Sequence, residues 1–306
     1  MNDFVAILLC AGKGSRMNDD STNKVCFPVN GVPAVRRTID NMRKAGINRF
    51  VVVVGHKAEK VMECLSHYDN VAYAYQPEQN GTGNAALMGL NILYSLGYAG
   101  PALVCMGDKI ISDNVISKLI DRYKNSDAKA VFAVQPKHFN EGGGRIAIKN
   151  GKVCGIYEQT DSYILKLGAL DVQNEGAYIN AFKDAPVNEK KKQKILNYAL
   201  NNLGVIKSET VLAGEIFTHV DIESCEYVNT ATYLCDVKST ISAIEKLDNN
   251  NAQGEIYLTD AINILAAESS VDVIAISTKE EMLTFATKDE LAEVSKYFAS
   301  IEKELI

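Results

Sequence analysis

With 306 residues, 47% of them hydrophobic and 23% charged, the chain has room for one large α/β domain or two average ones. A formal net charge of −6 gives no electrostatic footprint for nucleic acid or an anionic membrane. No stretch reaches the ~20 apolar residues of a membrane helix, and no basic leader precedes the first apolar run, so a cytoplasmic protein is expected.

That first run, 4–10, is short and partly β-branched, and it stops just before two glycines, as a strand inside a parallel sheet does. Ala11-Gly12-Lys13-Gly14-Ser15-Arg16-Met17 follows, then a polar stretch ending at Lys24. Glycine lets backbone approach a ligand and aim several N–H groups at it. Lys13, Arg16 and Lys24 surround those amides with three cations, a combination suited to a triphosphate. The spacing is not that of a Walker loop, which needs Gly-Lys-Ser/Thr directly before a helix. It is not the dinucleotide fingerprint either, because the third glycine is missing. A tight surface turn that happens to be basic is the competing reading of the loop alone.

Residues 33–44 carry Val35, Ile39 and Met42 at helical spacing, with proline in the permitted first turn and Gly46 as the stop. Strand 50–54, helix 58–65 and strand 71–75 follow. This β–α–β–α–β alternation predicts a parallel sheet with helices on both faces. Ligands of such sheets sit at the carboxyl ends of the strands, where the loop after Cys10 opens. The third strand leads into a polar loop, 76–84, and an alanine-rich helix. A fourth strand, 101–106, ends in Gly107-Asp108. Helix 113–124, strand 129–134 and a hairpin turning at Asn150-Gly151 come next.

Residues 162–225 break the pattern. They are polar, include Lys190-Lys191-Lys192, and predict at least one helix, over 191–203, with the lysine run on a solvated face. Strand 227–235, helices 238–247 and 257–267, and strand 271–276 restore the alternation. The chain closes on an amphipathic helix from Lys288, with Leu291, Val294, Phe298 and Ile301 on one stripe.

Seven single cysteines without Cys-x-x-Cys read as reduced, mostly buried thiols, and four scattered histidines offer no zinc spacing or triad. Asp108, at a strand end after glycine, suits Mg²⁺; a lone Gly-Asp is also a common helix cap or loop carboxylate. Gln76, Gly81 and Thr82 form a second polar loop at the same edge. The Gln76 amide is placed either to read a base edge or to cap the helix that follows.

The stretch Leu9 to Met17 with Lys24 resembles the signature of sugar-1-phosphate nucleotidyltransferases. The segments 76–83, Gly107-Asp108, Gly144-Arg145-Ile146, Glu158, Asn229-Thr230 and 249–260 resemble one branch of them. That branch is the uridylyltransferase domain of bifunctional N-acetylglucosamine-1-phosphate enzymes. The resemblance implies a Rossmann-like three-layer α/β sandwich with a mostly parallel, mixed central sheet. It implies a Mg²⁺-dependent reaction giving UDP-N-acetylglucosamine and pyrophosphate from UTP and the sugar 1-phosphate. Leu9, Ala11, Gly12, Gly14, Gln76, Gly81 and Thr82 would hold the nucleotide. Lys13 and Arg16 would face the leaving phosphates, Lys24 the reacting ones, and Asp108 would hold Mg²⁺. Gly144, Glu158, Asn229, Tyr257 and Thr259 would hold the sugar. The substrates are small molecules, with no nucleic-acid or membrane partner expected and an oligomer compatible with the sequence.

Three departures accompany the resemblance. Ala286 stands where the family has a metal-binding asparagine. Lys109-Ile110-Ile111 replaces Val-Pro-Leu after the aspartate. The 162–225 stretch is an insertion beside the sugar pocket, where the family has a short loop. The hexapeptide-repeat acetyltransferase half of those enzymes has no counterpart in these residues. Another sugar 1-phosphate or NTP, or a nucleotide-sugar-binding module weakened in catalysis by Ala286, are the rival readings.

Overall fold

Strand β1 (Val5–Leu9) is buried on both faces. Val5, Ile7 and Leu9 enter one apolar layer, and Ala6 and Leu8 enter the other. Two covered faces explain why its sequence shows no alternation of polarity. The computed structural model describes residues 4–183, 185, 187–249, 251 and 254–303. Helix α1 (Ala34–Lys44), strand β2 (Phe50–Val54), helix α2 (Ala58–Cys64), strand β3 (Val71–Tyr75), helix α3 (Thr82–Ser95) and strand β4 (Pro101–Met106) follow in turn. β1 lies between β2 and β4, parallel to both, and β3 extends the sheet beyond β2. The strand order therefore reverses at β1, and a crevice opens at its carboxyl end. Helix α3 packs on one face of the sheet, and α1 and α2 pack on the other. Gly89 draws α3 tight onto β1, since a Cβ there would stand 2.5 Å from Ile7 Cγ2.

Past β4 the sheet becomes mixed. Strand β5 (Lys109–Ile111), helix α4 (Asp113–Lys124) and strand β6 (Ala130–Pro136) lead to the hairpin of β7 (Arg145–Lys149) and β8 (Lys152–Tyr157). Asn150 and Gly151 turn that hairpin at φ 53° and 73°, the left-handed values a two-residue turn requires.

Residues 162–225, for which the sequence predicts at least one helix, hold several. Helices α5 (Gln159–Gly168), α6 (Glu175–Ala181) and α7 (Glu189–Asn201) enclose their own apolar cluster around Tyr163, Leu167, Tyr178 and Ile195. Strands β9 (Glu209–Leu212) and β10 (Glu215–Thr218) form a small hairpin, and helix α8 (His219–Glu223) ends the segment. Leu165, Leu212, Phe217 and Ile222 seal it against Ala147 and Cys154 of the β7–β8 hairpin.

Strand β11 (Tyr227–Asp236) ties the two halves together, running antiparallel to β4, β6 and β7. Its register shifts between Asn229 and Tyr233, with Ala231 at φ 53°. Helices α9 (Val237–Ile244) and α10 (Leu258–Glu268) cover the α3 face, and strand β12 (Val271–Ala275) pairs parallel with β6. Strand β13 (Met282–Thr284) pairs with β5. Helix α11 (Lys288–Lys303) lays Leu291, Val294 and Phe298 on Met17, Ile110 and Phe285, as the stripe predicts. The doubly covered, mostly parallel mixed sheet is the expected fold class. Among the described residues no helix is long and apolar enough to cross a membrane, and all seven cysteines are free thiols.

Candidate active site

The glycine loop leaves β1 with its donors unused. Among the described residues, none of the amides of Gly12, Lys13, Gly14 and Ser15 donates to a protein oxygen. Gly14 takes φ 60°, and a Cβ on it would meet Lys24 Cβ at 2.7 Å. Met17 is buried and pins the far side of the loop, while Lys13 and Arg16 are exposed. Four amides and two free cations on a short concave turn are a ready anion site. The loop is closed by Asn23, which the sequence reading passed over. Its amide donates to the carbonyls of Cys10 (3.1 Å) and His56 (2.7 Å), and its Oδ1 accepts from the Val25 amide (3.1 Å). The legible signal was an asparagine at a capping position directly before Lys24.

Fixed in this way, Lys24 points across to β4. Gly107 presses β4 against β1: a Cβ there would lie 2.3 Å from Cys10 Sγ. Asp108 emerges immediately afterwards, and Lys24 Nζ bonds its Oδ2, the two side chains being 12% and 17% exposed. Lys109 lies behind, its charge disfavoured by burial and supported by Asp108. A cleft of about 540 Å³ is bounded by Arg16, Lys24, Asp108, Phe285 and Ala286.

Of the glutamates that line this cleft, Glu280, Glu290 and Glu293, Glu290 accepts from the amides of Ala286 and Thr287 as the cap of α11. No group of three or more His, Cys, Asp or Glu among the described residues could hold an ion. One aspartate beside an anion loop does not make a cage. It does fit Mg²⁺, which commonly binds through one or two carboxylates together with substrate phosphates and water.

The second loop meets the first at the sheet edge. Gln76 is 3% exposed, and its Nε2 donates to Asn84 Oδ1 (2.8 Å) and to the Gly81 carbonyl (3.4 Å). Among the described residues no donor reaches its Oε1. Gly81 has φ 104°, and a Cβ there would stand 2.4 Å from the Ile256 carbonyl. Thr82 Oγ1 accepts from the Leu258 amide (3.1 Å), so this hydroxyl holds α10 in place. Gln79, not anticipated, donates from Nε2 to the Ala11 carbonyl (3.0 Å) and joins the two loops.

The expected sugar residues converge at the end of β8. Thr259 Oγ1 donates to Glu158 Oε1 (3.1 Å), and a side chain at Gly144 would crowd that oxygen at 3.3 Å. Burial raises the Glu158 pKa, against the Thr259 hydrogen bond. Asn229 sits at the β11 bulge; its amide N–H donates to the Gly144 carbonyl (2.7 Å) and its Nδ2 to Tyr233 Oη (2.5 Å). Tyr257 is buried at the start of α10. Asn263, also unanticipated, clamps β8 by accepting from the Ile156 amide (2.6 Å) and donating to its carbonyl (2.8 Å). Glu158, Asp161, Tyr198 and Asp260 line a cavity of about 220 Å³. Burial, then Glu158 and Asp248, push Asp260 up to about 6. Of the 249–260 motif, Asn250, Ala252 and Gln253 lie outside the described residues.

Arg145 does not face a ligand. It is 1% exposed; Nε and Nη2 donate to the two Glu223 oxygens (2.8 Å each), and Nη1 donates to the carbonyls of Glu141 and Gly143. Burial disfavours the Glu223 charge, but hydrogen bonds from Arg145, Ser162 and Lys137 outweigh it and lower the pKa. This network docks α8 and α5 on β7. One expectation for this segment needs correcting: Lys190-Lys191-Lys192 is not a uniformly solvated face. Lys190 is exposed and Lys191 is half-buried, because α7 turns the Lys191 stripe inward with Ile195.

Residues 6–257 match the family described as MobA-like NTP transferase domain. The chain belongs to that family. The bifunctional protein GlmU of Bacillus cytotoxicus is 29% identical over 273 residues, covering 89% of the chain and 46% of the relative. That of Clostridium acetobutylicum is 32% identical over 268 residues, covering 87% and 45%. The chain thus spans a little under half the length of the curated relatives it matches. Among solved structures, a putative glucose-1-phosphate thymidylyltransferase from Bacillus anthracis superposes with a TM-score of 0.65 at 19% identity, covering 96% of this chain and 94% of that one. A UDP-glucose pyrophosphorylase complexed with UDP-glucose superposes with a TM-score of 0.66 at 13% identity, covering 98% and 99%. These two likenesses establish the shared fold.

Proposed function

We propose that the chain is a uridylyltransferase joining UTP to N-acetylglucosamine 1-phosphate, with release of pyrophosphate. The observation that supports this reading best is the glycine loop at the end of β1, whose amides make no protein hydrogen bond among the described residues, next to the Lys24–Asp108 pair. The triphosphate lies on the amides of Gly12 to Ser15, with Lys13 and Arg16 on the leaving phosphates. Uracil sits between Ala11 and Gln76, whose open Oε1 complements the N3–H of that base. The sugar lies against Gly144, Glu158, Asn229, Tyr257 and Thr259.

A phosphate oxygen of the sugar 1-phosphate attacks the α-phosphorus in line. The bond from that phosphorus to the bridging oxygen breaks, and pyrophosphate leaves. The nucleophile is already anionic, so no protein base is required. Catalysis reduces to positioning and charge neutralisation by Lys24 and Arg16. Asp108 would hold Mg²⁺ brought with the triphosphate, and the ion would neutralise charge developing on the phosphates. Lys24 then exchanges Asp108 for the reacting phosphate. This reading sets the chain among cytoplasmic suppliers of nucleotide sugars.

A second reading keeps the reaction and changes the sugar or the base. It draws on the helical segment between Glu158 and Tyr227, which we take to be an insertion bordering the sugar pocket. Pyrophosphate release with each of four NTPs against a panel of sugar 1-phosphates, with and without Mg²⁺, tests both. Turnover confined to UTP and N-acetylglucosamine 1-phosphate supports the first reading, and another productive pair supports the second. Nucleotide-sugar binding without turnover by any pair would overturn both in favour of a binding module.

A further inference from the structure

On α7, Lys191, Ile195 and Tyr198 stand at i, i+4 and i+7 and share one face. Ile195 is fully buried, so this face points into the protein, and Tyr198 lines the cavity that Glu158 also lines. Lys191, on the first turn, is half-buried and makes no ion pair among the described residues. Its neighbours to the left and right, Lys190 and Lys192, are different: one is exposed and the other pairs with Glu189 at 3.0 Å. Glu158, Arg16 and Arg145 lie within electrostatic range of Lys191. Arg145 is paired with Glu223. Glu158 borders the expected sugar pocket and Arg16 belongs to the glycine loop, so Lys191 senses both halves of the site. In the proposed transfer the incoming phosphate of the sugar 1-phosphate joins those two halves.

We propose that Lys191, carried in by the 162–225 insertion, is a substrate-binding residue that grips the phosphate of the sugar 1-phosphate. This deepens the transferase reading and rests on it. Burial weakens the Lys191 charge and Glu158 supports it, so an unpaired ammonium there gains most when a dianion arrives. The insertion therefore adds a cation to those of the glycine loop, on the side of the sugar 1-phosphate.

Calorimetric binding and steady-state kinetics on wild type, Lys191→Ala and Lys191→Arg test this, with N-acetylglucosamine 1-phosphate and unphosphorylated N-acetylglucosamine as probes. Lys191→Ala is expected to weaken binding of the phosphorylated sugar, and to raise its KM, by about tenfold or more. The unphosphorylated sugar and the KM for UTP should change less than about twofold, and Lys191→Arg should keep most of the affinity. An unaltered melting temperature in Lys191→Ala separates this from loss of the insertion fold. Unchanged phosphate-dependent binding in the alanine variant overturns the role of Lys191 and leaves the transferase reading intact. Absence of both sugar-phosphate binding and turnover in wild type, across the substrate panel, overturns the transferase reading and this proposal with it.

Discussion

Lys24 Nζ rests on Asp108 Oδ2, so the end of the glycine loop and the end of β4 neutralise each other before any substrate arrives. In the proposed reaction a triphosphate and its metal would divide this pair, the cation going to phosphate and the anion to the ion. Lys24→Ala should lower kcat by about 100- to 1,000-fold while UTP binding changes less than about tenfold. Single-turnover rates beside equilibrium UTP binding read the two separately, and equal losses in both would remove Lys24 from the chemical step.

Asp108→Ala should leave the fold intact and abolish turnover at any Mg²⁺ concentration, whereas Asp108→Glu should retain a response to Mg²⁺. A magnesium titration of initial rates checks this, and wild-type rates in the alanine variant would exclude Asp108 from metal binding.

Gly81→Ala places a Cβ 2.4 Å from the Ile256 carbonyl at a φ of 104°. The strain should cost about 2–4 kcal/mol of stability, and the KM for UTP should rise because Gln76 donates to the Gly81 carbonyl. Urea denaturation provides the first number and kinetics the second. Gly31→Ala, at φ 81° but with open space around its Cβ, serves as the control for backbone strain alone.

Arg145→Met removes the bidentate partner of Glu223 and leaves that partly buried carboxylate with Lys137 and Ser162 alone. A loss of about 3–5 kcal/mol is expected, with most of it recovered in the Arg145→Met, Glu223→Leu double variant. Independent losses that simply add would show that the two residues do not act as a pair.

Asp260 carries a pH signature. Its pKa rises from 3.8 in the unfolded chain to about 6 in the folded one, through burial and then Glu158 and Asp248. Below pH 4 the group is protonated in both states and its stabilising share is complete. That share is lost as pH climbs from about 4 to about 6, by roughly 2–3 kcal/mol. Asp260→Asn should flatten this fall and be more stable than wild type at pH 8. Denaturation midpoints from pH 4 to 8 decide it.

The half of the site built on parallel strands was legible because its residues have few other uses. Two glycines among three cations at a strand end, and Gly-Asp at the next, combine local backbone freedom with charge in a way packing alone does not require. Gln76 was legible as a polar residue at the right edge, but the division of its amide between Asn84 and a ligand depends on a neighbour eight residues away. Thr82 is oriented by Leu258, across 176 residues, which no local pattern reveals. Arg145 was read inside a ligand motif, yet its partner Glu223 lies 78 residues on, at the far end of the 162–225 segment. The inward stripe of α7 was readable in principle, since Ile195 and Ala199 mark the buried side and Lys191 falls on the same line. The run of three lysines concealed it, because charge composition ignores direction around a helix.

Glu158 stands at the start of α5, and β11 returns beside it at Asn229, so both stems of the 162–225 segment are rooted in residues assigned to the sugar in the proposed reaction. On that proposal, lengthening, shortening or exchanging the segment would be transmitted to the acceptor side. Such an architecture would let acceptor choice drift by swapping one cassette, without retuning the machinery that handles the triphosphate.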